Sequence, residues 1–337
     1  MAVRRRPWLL STESTLLARK RETVDVPIAS RLPSTVMLRD VSLRDGLQDE
    51  SPIATDAKLA IFGALLAAGV RDLEVTSFVR PDRVPAMADA ESLCAETAAL
   101  AESAGVVRWG LVLNVRGAER ALAAGLTHLQ YVVSVSDTHS RHNAGASTDE
   151  ALDQFAVFAR SAIEHGAVVE MTLATAMGCP FEHRVDPARV ATVARRAVEA
   201  GASSIGLGDT IGVAVPTEVA ILVDLVKAGV DVPIGVHLHD TRGLAIANAI
   251  AALEHGAVRL DASVGGLGGC PFAPNASGNV PIEDLAHALE AMGVSTGLSV
   301  DGLIEAAQVA CGAVGKPVSS HVGLAGPRFG EPVTRGV

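Results

Sequence analysis

The sequence predicts an α/β fold, a TIM (β/α)8 barrel with additional C-terminal helices. Three observations carry that reading. An alanine-rich helical stretch ending in glycine is followed by a short β-rich run seven times, at Gly69, Gly105, Gly125, Gly166, Gly201, Gly229 and Gly256. An opening strand at Val36–Val41 brings the count to eight βα units, the number that closes a barrel. The 337 residues exceed the roughly 250 that such a barrel typically needs. A doubly wound open sheet is the structural alternative, but no GxGxxG follows the first strand.

Each unit has the same local logic. Glycine just past a helix supplies the left-handed backbone that stops it, and the β-rich run then enters the sheet. The strand runs begin near Asp72, Arg108, His128, Val168, Ser203, Pro233 and Val258. After Pro281 the chain reads as helices packing beside the barrel. Residues 1–32 form a basic N-terminal extension, and residues 33–337 the barrel domain with its helical segment from about 281. The extension carries Arg4, Arg5, Arg6, Arg19, Lys20, Arg21 and Arg31 with few acids. A surface arm is the favoured reading and a transit peptide the alternative, because transit peptides are also basic and acid-poor. The apolar run Trp8-Leu9-Leu10 is shorter than the roughly 7 residues of a signal-peptide core.

Composition narrows the function classes. Apolar residues make up 49% of the chain, far from a disordered composition. A net charge of −10 argues against a nucleic-acid surface. No apolar run reaches the roughly 18 residues of a membrane span, so no membrane partner is expected. The four cysteines, Cys94, Cys179, Cys270 and Cys311, lie far apart without a CxxC pair. That spacing fits a reducing cytoplasm better than a disulfide framework or a cysteine zinc site.

In such a barrel the chemistry sits at the C-terminal strand ends. Strand one ends in Arg44 and Asp45, an adjacent cation and carboxylate. Strand two carries Glu74, with Thr76 two residues on and expected on the same face. Strand six ends in Asp209. Strand seven ends in His237-Leu238-His239, whose alternation aims both imidazoles at the mouth. Two imidazoles and Asp45 suit one divalent ion, and the absence of thiolates tilts the choice to Mg²⁺ or Mn²⁺. Asp240 points the other way and reads as structural. After strand eight, Gly265 to Asn279 is glycine-rich with Cys270 at its tip. It reads either as a closing lid whose Cys270 acts as acid or base, or as a phosphate-binding turn. Asn279 offers a carbonyl oxygen as a further ligand. His139, Arg141, His142 and Asn143 read as a polar loop after strand four.

Together these strings resemble the 3-hydroxy-3-methylglutaryl-CoA lyase family of the DRE-TIM metallolyase superfamily. The resemblance rests on Arg44 to Gln48, Glu74 to Val79, Met177 to Phe181, Gly208 to Gly212, His237 to Thr241 and the Gly266–Asn279 loop. It implies a metal-dependent retro-Claisen lyase cleaving 3-hydroxy-3-methylglutaryl-CoA, or a related 3-hydroxyacyl-CoA, to acetyl-CoA and acetoacetate or the corresponding keto acid. By the same resemblance Asp45, His237, His239 and Asn279 hold the metal and Arg44 faces the thioester oxygen. Cys270 is the loop catalytic residue, with Glu74 and Asp209 in the polar shell. Either His237 or Cys270 protonates the enolate. The partner is a small-molecule CoA thioester, and a homodimer is possible. A Claisen-condensing synthase or aldolase of the superfamily acting on a 2-oxo acid is the alternative. Asp49, Arg242 and Asp137 depart from the family's usual asparagine, tyrosine and glutamate. With Arg80 they leave the acyl group open.

Overall fold

The computed structural model describes residues 31–269 and 278–328. Cys270 and residues 1–30 of the basic extension lie outside them. Eight parallel strands close in chain order into a barrel. They are β1 (Met37–Asp40), β2 (Asp72–Ser77), β3 (Val107–Val112), β4 (His128–Ser134), β5 (Val168–Ala174), β6 (Ser204–Asp209), β7 (Ile234–Leu238) and β8 (Arg259–Ala262). The seam is the β1–β8 pairing, from Met37 opposite Arg259 to Asp40 opposite Ala262.

Helices alternate with the strands and cover the outside. They are α1 (Thr55–Ala67), α2 (Ala90–Ala104), α3 (Val115–Ala123), α4 (Asp137–Ala144), α5 (Thr148–Glu164), α6 (Pro187–Glu199), α7 (Pro216–Lys227) and α8 (Ala245–Glu254). Then follow α9 (Ile282–Ala291), α10 (Val300–Val314) and α11 (His321–Ala325), beginning where the sequence placed the C-terminal helices. Sealed on both faces, β2 and β7 are buried at every position, as parallel strands usually are. None of the described helices is long and apolar enough to cross a membrane. Six of the seven repeat glycines adopt positive φ, and Gly229 does not.

Two local readings are corrected. The stretch after β4 is helix α4, not a loop. Its residues, Asp137 to Ala144, lack an apolar stripe, but the Ser136 side chain caps its first turn by accepting from the His139 N–H. Thr76 does not share a face with Glu74. The β2–β3 register shifts between those two residues, and the Thr76 hydroxyl sits 3.7 Å from the Met87 sulfur, while Ser77 lines the barrel mouth. An irregularity of this kind re-aims every side chain beyond it.

Deeper than the strand ends, the barrel interior is ionic. Arg39 binds Asp72 and, at 2.9 Å, Glu170. Arg259 binds Glu170 and, at 2.8 Å, Asp261. The Arg39 guanidinium also lies 4.0 Å over the Trp109 ring. Burying charge is costly unless each ion is paired and hydrogen-bonded, and this network does both. Gly235 is required here, because any Cβ would overlap the Arg259 guanidinium.

Candidate active site and metal centre

The mouth is built from the first and last strands. β1 runs into a π-helical turn, Ser42–Gly46, whose residues are all buried. Wide turns of this kind recur at functional sites because they redirect side chains. Here the turn delivers Arg44 and Asp45 onto the end of β7. The Nε2 atoms of His237 and His239 lie 3.2 Å apart. Asp45 Oδ2 is 3.9 Å from the first and 3.6 Å from the second. All three side chains are buried, and one ligand atom from each lies within 4.8 Å of the others.

These residues fit a divalent cation. Asn279 donates its amide N–H to Asp45 Oδ2 at 2.7 Å and to the Leu267 carbonyl at 2.9 Å. Its Oδ1 is buried with no hydrogen-bond partner. An unpartnered carbonyl oxygen together with two facing imidazoles and a carboxylate is a donor set that suits a divalent ion. The charge balance agrees. In the connected interior cluster, Arg39, Arg44 and Arg259 face five buried carboxylates: Asp45, Asp72, Glu74, Glu170 and Asp261. Two further positive charges would balance it.

Electrostatics keep the ligands in the right state. Burial alone would raise the Asp45 carboxyl, but Arg44 and the two imidazoles hold it well below the usual carboxylate range. Burial opposes the Arg44 charge, but Glu74 and Asp45 hold its pKa above the ordinary value. Arg44 Nε meets Glu74 Oε2 at 2.5 Å and Nη1 meets Asp45 Oδ1 at 2.5 Å. The second terminal nitrogen, Nη2, makes no hydrogen bond among the described residues. Burial raises Glu74, partly offset by Arg44.

Asp261 was missed by the sequence reading. It stands opposite His237 in the β7–β8 register, with Oδ2 3.5 Å from His237 Nδ1. Burial raises its carboxyl, but Arg259 and His237 pull it well below the ordinary value. Arg259 and Asp261 stand two residues apart on β8, a strand buried on both faces, so spacing alone did not mark them as inward-facing. Asp209 is placed differently from its shell companions. Its two oxygens accept the backbone N–H groups of Val213 and Ala214 at 3.0 Å each, so it shapes the turn after β6. Burial raises its carboxyl against those two bonds. Asp240 accepts from the Ala245 N–H and is structural as read. Arg242 donates to the carbonyls of Ile211 and Gly212, bracing the same turn.

A cavity of about 230 Å³ opens from Arg44, His237 and His239. Val79, Val84, Leu113 and Val132 also line it, with Gln130, Thr172 and His139 as uncharged polar groups. Burial holds the His139 imidazole down at about 4, so it is neutral near pH 7. Cys179 is buried away from this cavity, with its thiol on Ser136 Oγ at 2.9 Å.

The chain is similar to known proteins in sequence and fold. The chain is 40% identical to an (R)-citramalyl-CoA lyase of Chloroflexus aurantiacus, over 89% of this chain and 97% of that protein. The crystal structure of hydroxymethylglutaryl-CoA lyase from Pseudomonas aeruginosa superposes with a TM-score of 0.83 at 36% identity, covering 88% of this chain and 98% of that one. An HMG-CoA lyase from Acinetobacter baumannii, solved in complex with coenzyme A and 3-methylmalate, matches with a TM-score of 0.81 at 33% identity, covering 88% and 96%. Residues 35–310 match the HMGL-like family, and with the barrel and its mouth in place the chain belongs to that family.

Proposed function

We propose that this protein is a divalent-metal-dependent retro-Claisen lyase acting on 3-hydroxy-3-methylglutaryl-CoA or a related 3-hydroxyacyl-CoA. The class, a carbon–carbon lyase, follows from the family. The observation that carries the mechanism is the buried Asp45–His237–His239 cluster with Arg44 beside it at the mouth.

Loss of the 3-hydroxyl proton and cleavage of the C2–C3 bond turn the 3-carbon into a ketone and leave the electron pair on the thioester as an enolate, whose protonation returns the reaction to no net proton change. Asp45, His237, His239 and Asn279 would hold the metal. Bound there, the ion supplies Lewis acidity that lowers the pKa of the 3-hydroxyl. Arg44 answers the other charge. Glu74 and Asp45 fix its guanidinium, and Nη2 is left to donate to the developing enolate oxygen. A donor already fixed in a buried site needs no reorganisation during reaction.

The enolate carbon must then gain a proton. With Nε2 in the ligand cluster and Nδ1 facing Asp261, His237 has no nitrogen left for that task. We assign the role to Cys270 on the glycine-rich loop, which lies outside the described residues.

The relative named as a citramalyl-CoA lyase supports a second acyl group for the same reaction, with a keto acid one carbon shorter than acetoacetate as product. The test is direct. Purified protein with Mg²⁺ or Mn²⁺ is given 3-hydroxy-3-methylglutaryl-CoA and citramalyl-CoA separately, and acetyl-CoA, acetoacetate and pyruvate are followed, with EDTA as control. We expect metal-dependent cleavage of at least one. Failure to cleave either would overturn the reading.

A further inference from the structure

Among the described residues lining the reaction cavity, Arg44 and Asp45 alone carry a fixed charge. Inside the barrel the lining turns to neutral polar groups, Gln130 within β4 and Thr172 within β5. In the β4–β5 register Gln130 pairs with Glu170. Thr172 follows Glu170 by two positions and shares its face. Gln130 is only 1% exposed, and Thr172 is also buried.

Both side chains spend their protons in one direction. Gln130 Nε2 donates to Glu170 Oε1 at 3.4 Å, and the Thr172 hydroxyl donates to the same oxygen at 3.5 Å. Burial would raise the Glu170 carboxyl, but Arg259 and Arg39 hold it below the ordinary value, so it is ionised. A carboxylate only accepts, which sets the amide with its nitrogen toward Glu170 and the hydroxyl with its proton there. What remains for the cavity is lone pairs. Gln130 Oε1 is buried and has no hydrogen-bond partner among the described residues. Thr172 Oγ1 has room because residue 206 is glycine: a Cβ there would stand 2.7 Å from it.

A buried acceptor without a donor is costly, so a donating group belongs beside Gln130 Oε1. A carboxylate is the worst occupant, because it brings no proton and meets the charge of Glu170. A methyl group leaves the oxygen unpaired. A hydroxyl satisfies it. We propose that Gln130 is a specificity-determining residue of the lyase reaction, with Thr172 as a second acceptor, and that the two select a 3-hydroxyacyl-CoA whose 3-carbon bears a branch ending in a hydroxyl. This branch takes the place of the methyl group of 3-hydroxy-3-methylglutaryl-CoA. Its identity as part of an acyl group rests on the thioester-lyase reading, whereas the preference for a donor does not. The bond broken is still C2–C3, so 3-hydroxy-3-(hydroxymethyl)glutaryl-CoA gives acetyl-CoA and 4-hydroxyacetoacetate with no net proton change.

The experiment measures kcat/KM of the Mn²⁺-loaded protein for that thioester and for 3-hydroxy-3-methylglutaryl-CoA, following acetyl-CoA. Wild type is compared with Gln130→Met, Thr172→Val and Thr172→Ser, and folding of each is checked by circular dichroism. We expect wild type to favour the hydroxymethyl compound about tenfold. The preference should disappear in Gln130→Met, shrink in Thr172→Val and return in Thr172→Ser. A wild-type preference below about threefold overturns the proposal, as does a preference that survives in folded Gln130→Met. If that variant does not fold, Thr172→Val against Thr172→Ser decides in its place. Should wild type cleave neither thioester, the lyase reading fails, and calorimetric binding of the same two compounds still tests Gln130. Tighter binding of the hydroxymethyl compound, lost in Gln130→Met, upholds its role, and equal affinities overturn it.

Discussion

Asn279 donates to Asp45 Oδ2 at 2.7 Å, joining residues 234 positions apart in the chain. The same amide holds the Leu267 carbonyl at 2.9 Å, so one side chain links the π-helical turn after β1 to both ends of the glycine-rich loop. Asn279→Ala leaves Asp45 less well oriented and removes the orphaned Oδ1. The expected result is a ~10- to 100-fold loss of Mn²⁺ affinity in a titration followed by electron paramagnetic resonance. Affinity within twofold of wild type would remove Asn279 from the ligand set.

Arg44→Gln deletes the donor aimed at the enolate. Losing one such donor typically costs ~10²–10³ in kcat. Mn²⁺ affinity should move far less, because the three clustered ligands remain. A variant that keeps wild-type kcat would show that Arg44 only balances Asp45 and Glu74.

Asp261→Asn keeps the shape beside His237 Nδ1 but removes the negative charge. It also deprives Arg259 of its partner at 2.8 Å. We expect metal affinity to fall ~10-fold or more through a weaker, less oriented imidazole. Unaltered Mn²⁺ binding would confine Asp261 to the ion network below the site.

The buried carboxyls of Asp40 and Glu283 predict a pH effect on stability. Burial raises both to about 7, and the charge of Glu283 adds to the effect on Asp40. Unfolded, they titrate near their ordinary values of 3.8 and 4.5. Between those values and about 7 the folded state holds the extra protons, so stability falls as pH rises through that window. Glu283→Gln should flatten the decline of Tm between pH 5 and 8, and adding Asp40→Asn should flatten it further. A slope equal to wild type in the double variant would contradict this.

Gly235→Ala places a methyl against the buried Arg259 guanidinium. Overpacking of this kind costs ~1–3 kcal/mol, and displacing a paired ion adds to it. Chemical denaturation should show that loss, and an unchanged midpoint would mean the network relaxes freely.

The barrel and most of its mouth were legible because their signals are local. Glycine at helix ends marked seven of the eight strands and the opening β-run the first, and alternation along β7 placed His237 and His239 together. Adjacent motif residues placed Arg44 and Asp45. The deeper charges were not legible for a physical reason. Arg39, Glu170 and Asp261 sit on strands whose inward and outward faces are both buried, so period-two alternation does not tell the interior from the helix layer. Thr76 was misplaced because a register shift cannot be read from residue spacing. Helix α4 was read as a loop because its polar residues carry no stripe, and its cap alone was too small a signal.

Gly278 passes so close to Gly266 that a Cβ on it would stand 2.5 Å from the Gly266 carbonyl oxygen. The two feet of the loop therefore meet and are fastened to the barrel before the intervening residues begin. Closing a longer loop between fixed feet costs only ~0.6 kcal/mol per doubling of its length. The barrel is therefore closed at those feet whatever length of chain runs between them. The Asp45–His237–His239 cluster is thereby held by the barrel and the loop's feet alone.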